Sequence, residues 1–221
     1  MKKILGIDEA GRGALIGPLV IVGAYADEEK MEKLKEIGVK DSKLLTYNQR
    51  IMLYEEIKKI LNDWIIIKIS ASEIDKLRER KNLNKIEAER MAEIIRALKP
   101  DKVYVDAPQV TTEKFKMYLK ALVKIDTEII SENFADRKYP IVSAASIIAK
   151  VERDKEIEKI KEKVNYNFGV GYPHDEKTIK FVKECIKNKK HLEFIRKSWA
   201  TFIELSGENK QKKLEGFCIK I

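Results

Sequence analysis

Apolar positions along this chain fall into short continuous runs and longer helical periods. Residues 3–8, KILGID, are a short β-branched run and predict a strand. PLVIVGAYA (18–26) predicts a second, with Gly17-Pro18 marking its start. A short helix is expected over 28–37, after Asp27. Thr46 followed three residues later by Gln49 makes a capping box, and the helix it starts, 47–61, sets Ile51, Tyr54 and Ile57 on one face. DWIIIKIS (63–70) predicts a third strand, followed by helical periods at 72–79 and 84–98, the second stopped by Pro100. KVYVDA (102–107) reads as a buried strand, 111–122 as a helix and TEIISE (127–132) as a strand. Pro140 suits the first turn of a long helix over 140–163, whose SAAS (143–146) has side chains small enough to lie close on a sheet.

Three early strands in an antiparallel meander, then αβαβα, give an α/β fold with a mixed five-stranded sheet flanked by helices. The pattern changes near the glycine-rich NFGVGYPHDE (167–176), beyond which the chain is helical and basic. The expected division is a catalytic domain over 1–175 and a basic helical C-terminal segment, an appendage, over 176–221.

Composition narrows the classes. At 221 residues the chain can bury a substantial core. No apolar run reaches the ~18 residues of a membrane span. Met1-Lys2-Lys3 leads into an apolar piece that meets acids at once, which is not the shape of a signal peptide, so a cytoplasmic location is expected. Cys185 and Cys218 are too few for a disulfide framework or a thiolate metal site and are expected as packing residues. The formal charge is +9, and residues 176–221 hold twelve basic against six acidic residues. That imbalance suits either a polyanion-binding segment or a solvated lysine-rich surface.

Asp8 ends the first predicted strand, Asp106 ends a central one and Asp136 lies between the last strand and the long helix. Open α/β sheets build their sites where strands give way to loops, so these three can converge, and Glu9 adds a fourth if the backbone bends after Asp8. Convergent carboxylates need a counter-charge. Oxygen ligands without a cysteine or histidine cluster select Mg²⁺ or Mn²⁺, and two such ions can clamp the attacking water and leaving oxygen of a phosphodiester. Acids after strands also serve as turn formers and helix caps, so position alone leaves both readings open. Gly11-Arg12-Gly13 is either a flexible turn or a loop that lets backbone N–H groups approach a phosphate or sugar. Tyr172, in GYP, is either a tyrosine at the core edge or a phenol that stacks on a sugar or base. No P-loop is present.

Several motifs occur together in order: GIDEAGRG (6–13), DSK (41–43), VDA (105–107), ADRKYPIVSAASIIAKVERD (135–154) and GYP (171–173). Over residues 4–175 they resemble ribonuclease HII, the type 2 ribonuclease H, in its archaeal form. The resemblance implies a ribonuclease-H-like fold and metal-assisted endonucleolytic cleavage of RNA in RNA–DNA hybrids and at ribonucleotides embedded in duplex DNA, leaving 5′-phosphate and 3′-hydroxyl ends. It implies Asp8, Glu9, Asp106 and Asp136 as catalytic, metal-binding acids with two ions during the reaction. It gives Gly11, Arg12 and Gly13 the nucleotide whose 2′-hydroxyl marks it as RNA, Tyr172 that sugar, and Lys43 the backbone phosphates. Ala14, Val170 and His174 depart from the family pattern, which bears on substrate preference. A monomer is expected, with a replication-associated protein as a possible partner and no membrane. Two rivals stay open on the residues alone. A DEDD-type exonuclease or junction resolvase would share the acids without needing the glycine loop and Tyr172. A non-catalytic nucleic-acid-binding module would need only the basic segment.

Overall fold

The computed structural model describes residues 2–39, 46–107 and 112–207. Lys43 and Cys218 lie outside them. Five strands, β1 (Lys3–Ala10), β2 (Leu19–Asp27), β3 (Asp63–Ile69), β4 (Lys102–Asp106) and β5 (Glu128–Glu132), form one sheet in the order β3-β2-β1-β4-β5. β1 runs antiparallel to β2 and parallel to β4, and β4 parallel to β5, so the sheet is mixed as expected. The helices are α1 (Met31–Glu36), after a 3₁₀ turn at Glu28–Lys30, α2 (Tyr47–Ile60), α3 (Ala71–Arg78), α4 (Leu83–Leu98), α5 (Thr112–Val123), α6 (Ala135–Lys138), α7 (Pro140–Val164), α8 (Glu176–Asn188) and α9 (Ala200–Ser206). Among the described residues no helix is long and apolar enough to cross a membrane.

The capping box at Thr46 forms as expected. Thr46 Oγ1 accepts from Gln49 N, and the Gln49 side chain returns to Thr46 N. Ser70 and Glu73 make a second capping box at the start of α3.

The chain forms two units. One holds the residues up to Arg12, Val20–Lys68 and Lys81–Asp154. The other holds Gly13–Leu19, Ile69–Arg80 and the chain from Lys155 onward.

In the first unit, β1 is buried on both faces, which is why it reads as a continuous apolar run. Alternation sends Ile4, Gly6, Asp8 and Ala10 to one face and Leu5, Ile7 and Glu9 to the other. On the first face, Ile4, Ala10, Val20 and Val22 pack with Ile141, Val142, Ala144 and Ala145 of α7. Gly6 sets how close α7 comes: a Cβ there would collide with the Ile141 carbonyl. On the opposite face a Cβ at Gly23 would collide with the side chain of Ile94 of α4.

In the second unit, Phe181, Val182 and Cys185 of α8 and Phe202 of α9 bury with Leu15, Ile16, Phe168 and Ile195. The segment 13–19 is pinned there. Leu15 N and Ile16 N both donate to Gly171 O (2.8 and 3.0 Å), Gly17 N to Phe194 O and Arg196 N to Leu15 O. The fully buried Arg196 also donates from Nε to Gly17 O at 3.1 Å. The C-terminal helices therefore complete a core that begins at residue 15. Cutting the chain at 176 would remove much of that core along with the positive charge.

Candidate active site

The parallel pairing of β1 with β4 sets Ile7 beside Val105, so Asp8 and Asp106 follow at one level of the sheet and, by alternation, on the same face. β5 then brings the chain to α6, where Asp136 sits in the first turn. Asp8, Asp106 and Asp136 each present a carboxylate oxygen such that all three lie within 4.8 Å of one another. Asp8 and Asp136 are buried.

Local hydrogen bonds hold the acids in place. Glu9 N donates to Asp8 Oδ1 (2.7 Å) and Ala135 N to Asp106 Oδ1 (3.1 Å). α7 supplies the rest from one face. The Ser143 hydroxyl donates to the Asp136 carbonyl, the Ser146 side chain hydrogen-bonds Asp8, and the Lys150 ammonium favours ionised Asp8. The spacing 143, 146, 150 follows the helical period. The SAAS run, whose small side chains let α7 lie close on the sheet, thus also supplies two of these polar groups, which small size alone does not predict.

Burial dominates the electrostatics. Desolvation, then the neighbouring charge of Asp106, pushes the Asp8 carboxyl up to about 7. Glu9 is raised well above its ordinary value, first by burial, then by Glu87 and Asp8. The buried Glu9 Oε2 accepts no hydrogen bond from a described residue. Three converging oxygens and a carboxylate driven toward its neutral form suit a hard divalent cation, which supplies the missing positive charge.

The backbone does not bend after Asp8. β1 continues through Ala10 against β2, with Asp8 opposite Val22 and Glu9 opposite Ile21. Glu9 therefore faces the other side of the sheet, where its Oε1 lies 3.8 Å from Arg12 Nε. Arg12 Nε donates to the fully buried Glu87 (2.9 Å) and Nη2 to Asn84 Oδ1 (2.5 Å), both on α4. Neither partner was foreseen. Asn84 and Glu87 lie in an ordinary amphipathic helix, with nothing in their spacing to mark them.

The two glycines of Gly11-Arg12-Gly13 differ in kind. Gly11 has φ 86°, a conformation that favours glycine. Gly13 has no such φ, and a Cβ built on it would meet nothing within 4 Å. Among the described residues, neither backbone nor packing requires glycine at 13. Tyr172 belongs to the second unit. The preceding loop is rigid, because Asp175 accepts from Val170 N (2.7 Å) and Lys177 N (2.9 Å), while Thr178 Oγ1 accepts from Gly171 N and donates to Phe168 O. These N–H groups, Val170 first, hold the Asp175 carboxyl below its usual range. The Tyr172 ring stacks with His174 at 5.6 Å. Since Gly171 O binds Leu15 N and Ile16 N, the chain just after Gly13 is tied to the residue just before Tyr172.

The ribonuclease HII family model matches residues 5–202. The chain belongs to the ribonuclease HII family. Ribonuclease HII of Pyrococcus horikoshii is 45% identical over 202 residues, 90% of each chain. The crystal structure of ribonuclease H2 from Pyrococcus horikoshii OT3 superposes with a TM-score of 0.86 at 42% identity, covering 95% of this chain and 99% of that one. Ribonuclease HII in the PCNA:RNase HII complex from Archaeoglobus fulgidus has a TM-score of 0.83 at 42% identity, covering 89% and 94%. Membership of ribonuclease HII makes this chain a divalent-metal-dependent ribonuclease H, a hydrolase acting on RNA–DNA hybrids. The exonuclease and the non-catalytic module are set aside.

Proposed function

We propose that this enzyme incises single ribonucleotides embedded in duplex DNA as well as the RNA strand of longer hybrids, using Mg²⁺ or Mn²⁺, and leaves 5′-phosphate and 3′-hydroxyl ends. One observation carries the reading: carboxylates from β1, β4 and α6 share a space 4.8 Å across. Asp8, Asp106 and Asp136 hold the cation, with Glu9 beside them on the strand. Divalent ions held by these residues, two in the reaction proposed, would supply Lewis acidity at the scissile phosphate and lower the pKa of the attacking water. Ser146 and Lys150 favour the ionised form of Asp8 that serves as a ligand, against its burial, and Ser143 fixes the turn that carries Asp136.

Selectivity comes from the 2′-hydroxyl, which alone separates a ribonucleotide from its DNA neighbours. Gly11 turns the backbone, Gly13 leaves space for the sugar, and Arg12, braced by Glu87 and Asn84, holds the loop between them. Tyr172 packs on a sugar of the bound strand, and Lys43 neutralises a phosphate. The catalytic part is residues 1–175, and 176–221 adds sequence-independent phosphate contacts. The enzyme acts as a monomer. A replication-associated partner of the PCNA kind is inferred from the Archaeoglobus fulgidus complex.

The test is an end-labelled duplex with one internal ribonucleotide, compared with a long hybrid, with each metal in turn. Internal incision at the ribonucleotide, lost with EDTA and in Asp106→Asn, is the expected result. An uncut duplex alongside a cut hybrid would remove the single-ribonucleotide activity.

A further inference from the structure

Between β5 and α6, Phe134 adopts φ 59°, ψ 34°, the left-handed region that a bulky aromatic rarely occupies. The turn itself is needed, because it aims Ala135 N at Asp106 Oδ1 and starts the helix bearing Asp136. Glycine or asparagine would make that turn at less conformational cost. Core packing does not account for the phenylalanine either, since it is 59% exposed. Its ring instead carries the Arg137 guanidinium 4.9 Å from its centroid, and Arg137 is exposed too. An aromatic kept at a backbone cost, open to solvent, paired with a cation and two residues from a cluster acid has the composition of a nucleic-acid contact.

The geometry points to Phe134 and Arg137 as a substrate platform beside the three-acid cluster, where the ring packs on the sugar or base of the strand being cut and the guanidinium meets an adjacent phosphate. This rests on the function proposed above and extends it to a surface outside the glycine loop and Tyr172. The arginine serves a second purpose: it offsets the negative field of the acids for an approaching polyanion.

Fluorescence anisotropy with a fluorescein-labelled RNA–DNA hybrid, recorded without metal, measures the contact apart from catalysis. Phe134→Asn keeps the left-handed turn and is expected to melt at the wild-type temperature or about 2–4 °C higher. Its dissociation constant for the hybrid should rise about 5-fold or more, the loss expected for one stacked base. Phe134→Trp should bind within about 2-fold of wild type, because any aromatic face serves. Mn²⁺ titration of Phe134→Asn should match wild type, showing the acids undisturbed. Hybrid affinity unchanged in Phe134→Asn, or lost equally in Phe134→Trp, overturns the platform. If wild type binds the hybrid yet leaves it uncut, the proposed function fails while the binding comparison still decides this inference.

Discussion

Replacing Asp8 by asparagine should abolish cleavage and, without metal, make the protein more stable. The carboxyl is buried, and its pKa rises from 3.8 to about 7, chiefly through desolvation and then through Asp106. A raised carboxyl binds its proton more tightly in the folded than in the unfolded chain. Its contribution is therefore favourable at acid pH and is lost as pH climbs from about 4 through about 7. At 1.36 kcal/mol per pKa unit, the loss is on the order of 4 kcal/mol above pH 7. Asparagine has nearly the same shape and no charge to desolvate, so it escapes that penalty.

Melting curves of wild type and Asp8→Asn in EDTA at pH 8 and pH 4.5 test this. At pH 8 the variant should melt about 8–16 °C higher, given about 2–4 °C per kcal/mol for a chain of this size. At pH 4.5 most of the penalty is gone, about 1 kcal/mol remains, and the gap should shrink to about 2–4 °C. Saturating Mn²⁺ at pH 8 should narrow the gap, because only wild type gains fully from binding the ion. A variant no more stable than wild type at pH 8 in EDTA, or an advantage as large at pH 4.5 as at pH 8, would show that Asp8 is not held against its charged form.

Gly13→Ala should unfold within about 0.5 kcal/mol of wild type, since nothing crowds the new methyl, yet lose about 10-fold or more in incision at a single ribonucleotide, about 1.4 kcal/mol of transition-state binding, as a gel assay would show. Gly6→Ala should behave oppositely: its methyl collides with the Ile141 backbone, so overpacking should cost about 3 kcal/mol in urea unfolding whatever the metal or substrate. Glu87→Ala removes the buried acceptor of Arg12 Nε and should cost about 1–3 kcal/mol by the same measurement. Lys180, Lys183 and Lys187 lie exposed on one side of α8. Changing all three to alanine should flatten the slope of log affinity for hybrid against log salt by about 2–3, with cleavage at low salt retained.

Element positions were legible because burial leaves a periodic trace. β1, β4, α2 and α7 begin and end within two residues of their expected bounds. Asp8 and Asp106 stand out because each closes an apolar run, whereas Asp136 closes none, and position alone leaves the turn-former or cap reading open for all three until the family motifs are added. Glu9 shows where local reading stops. Its expected turn toward the other acids required a bend after Asp8, and whether a strand bends there depends on its neighbour. β2 pairs with β1 through Ala10, so period-two alternation, not the adjacency of Asp8 and Glu9, decides which way Glu9 points. Asn84, Glu87, Ser143, Ser146 and Lys150 were illegible for a related reason: each is an unremarkable residue on an amphipathic helix until that helix is laid on a particular face of the sheet. Gly6 and Gly23 fix those two placements from opposite sides. They thereby decide which helix supports Asp8 and which holds Arg12, though neither glycine touches a substrate or an ion. On the α7 side positioning thus follows from close backbone approach, and a methyl group at Gly6 should disturb the acids more than a conservative change at Ser143.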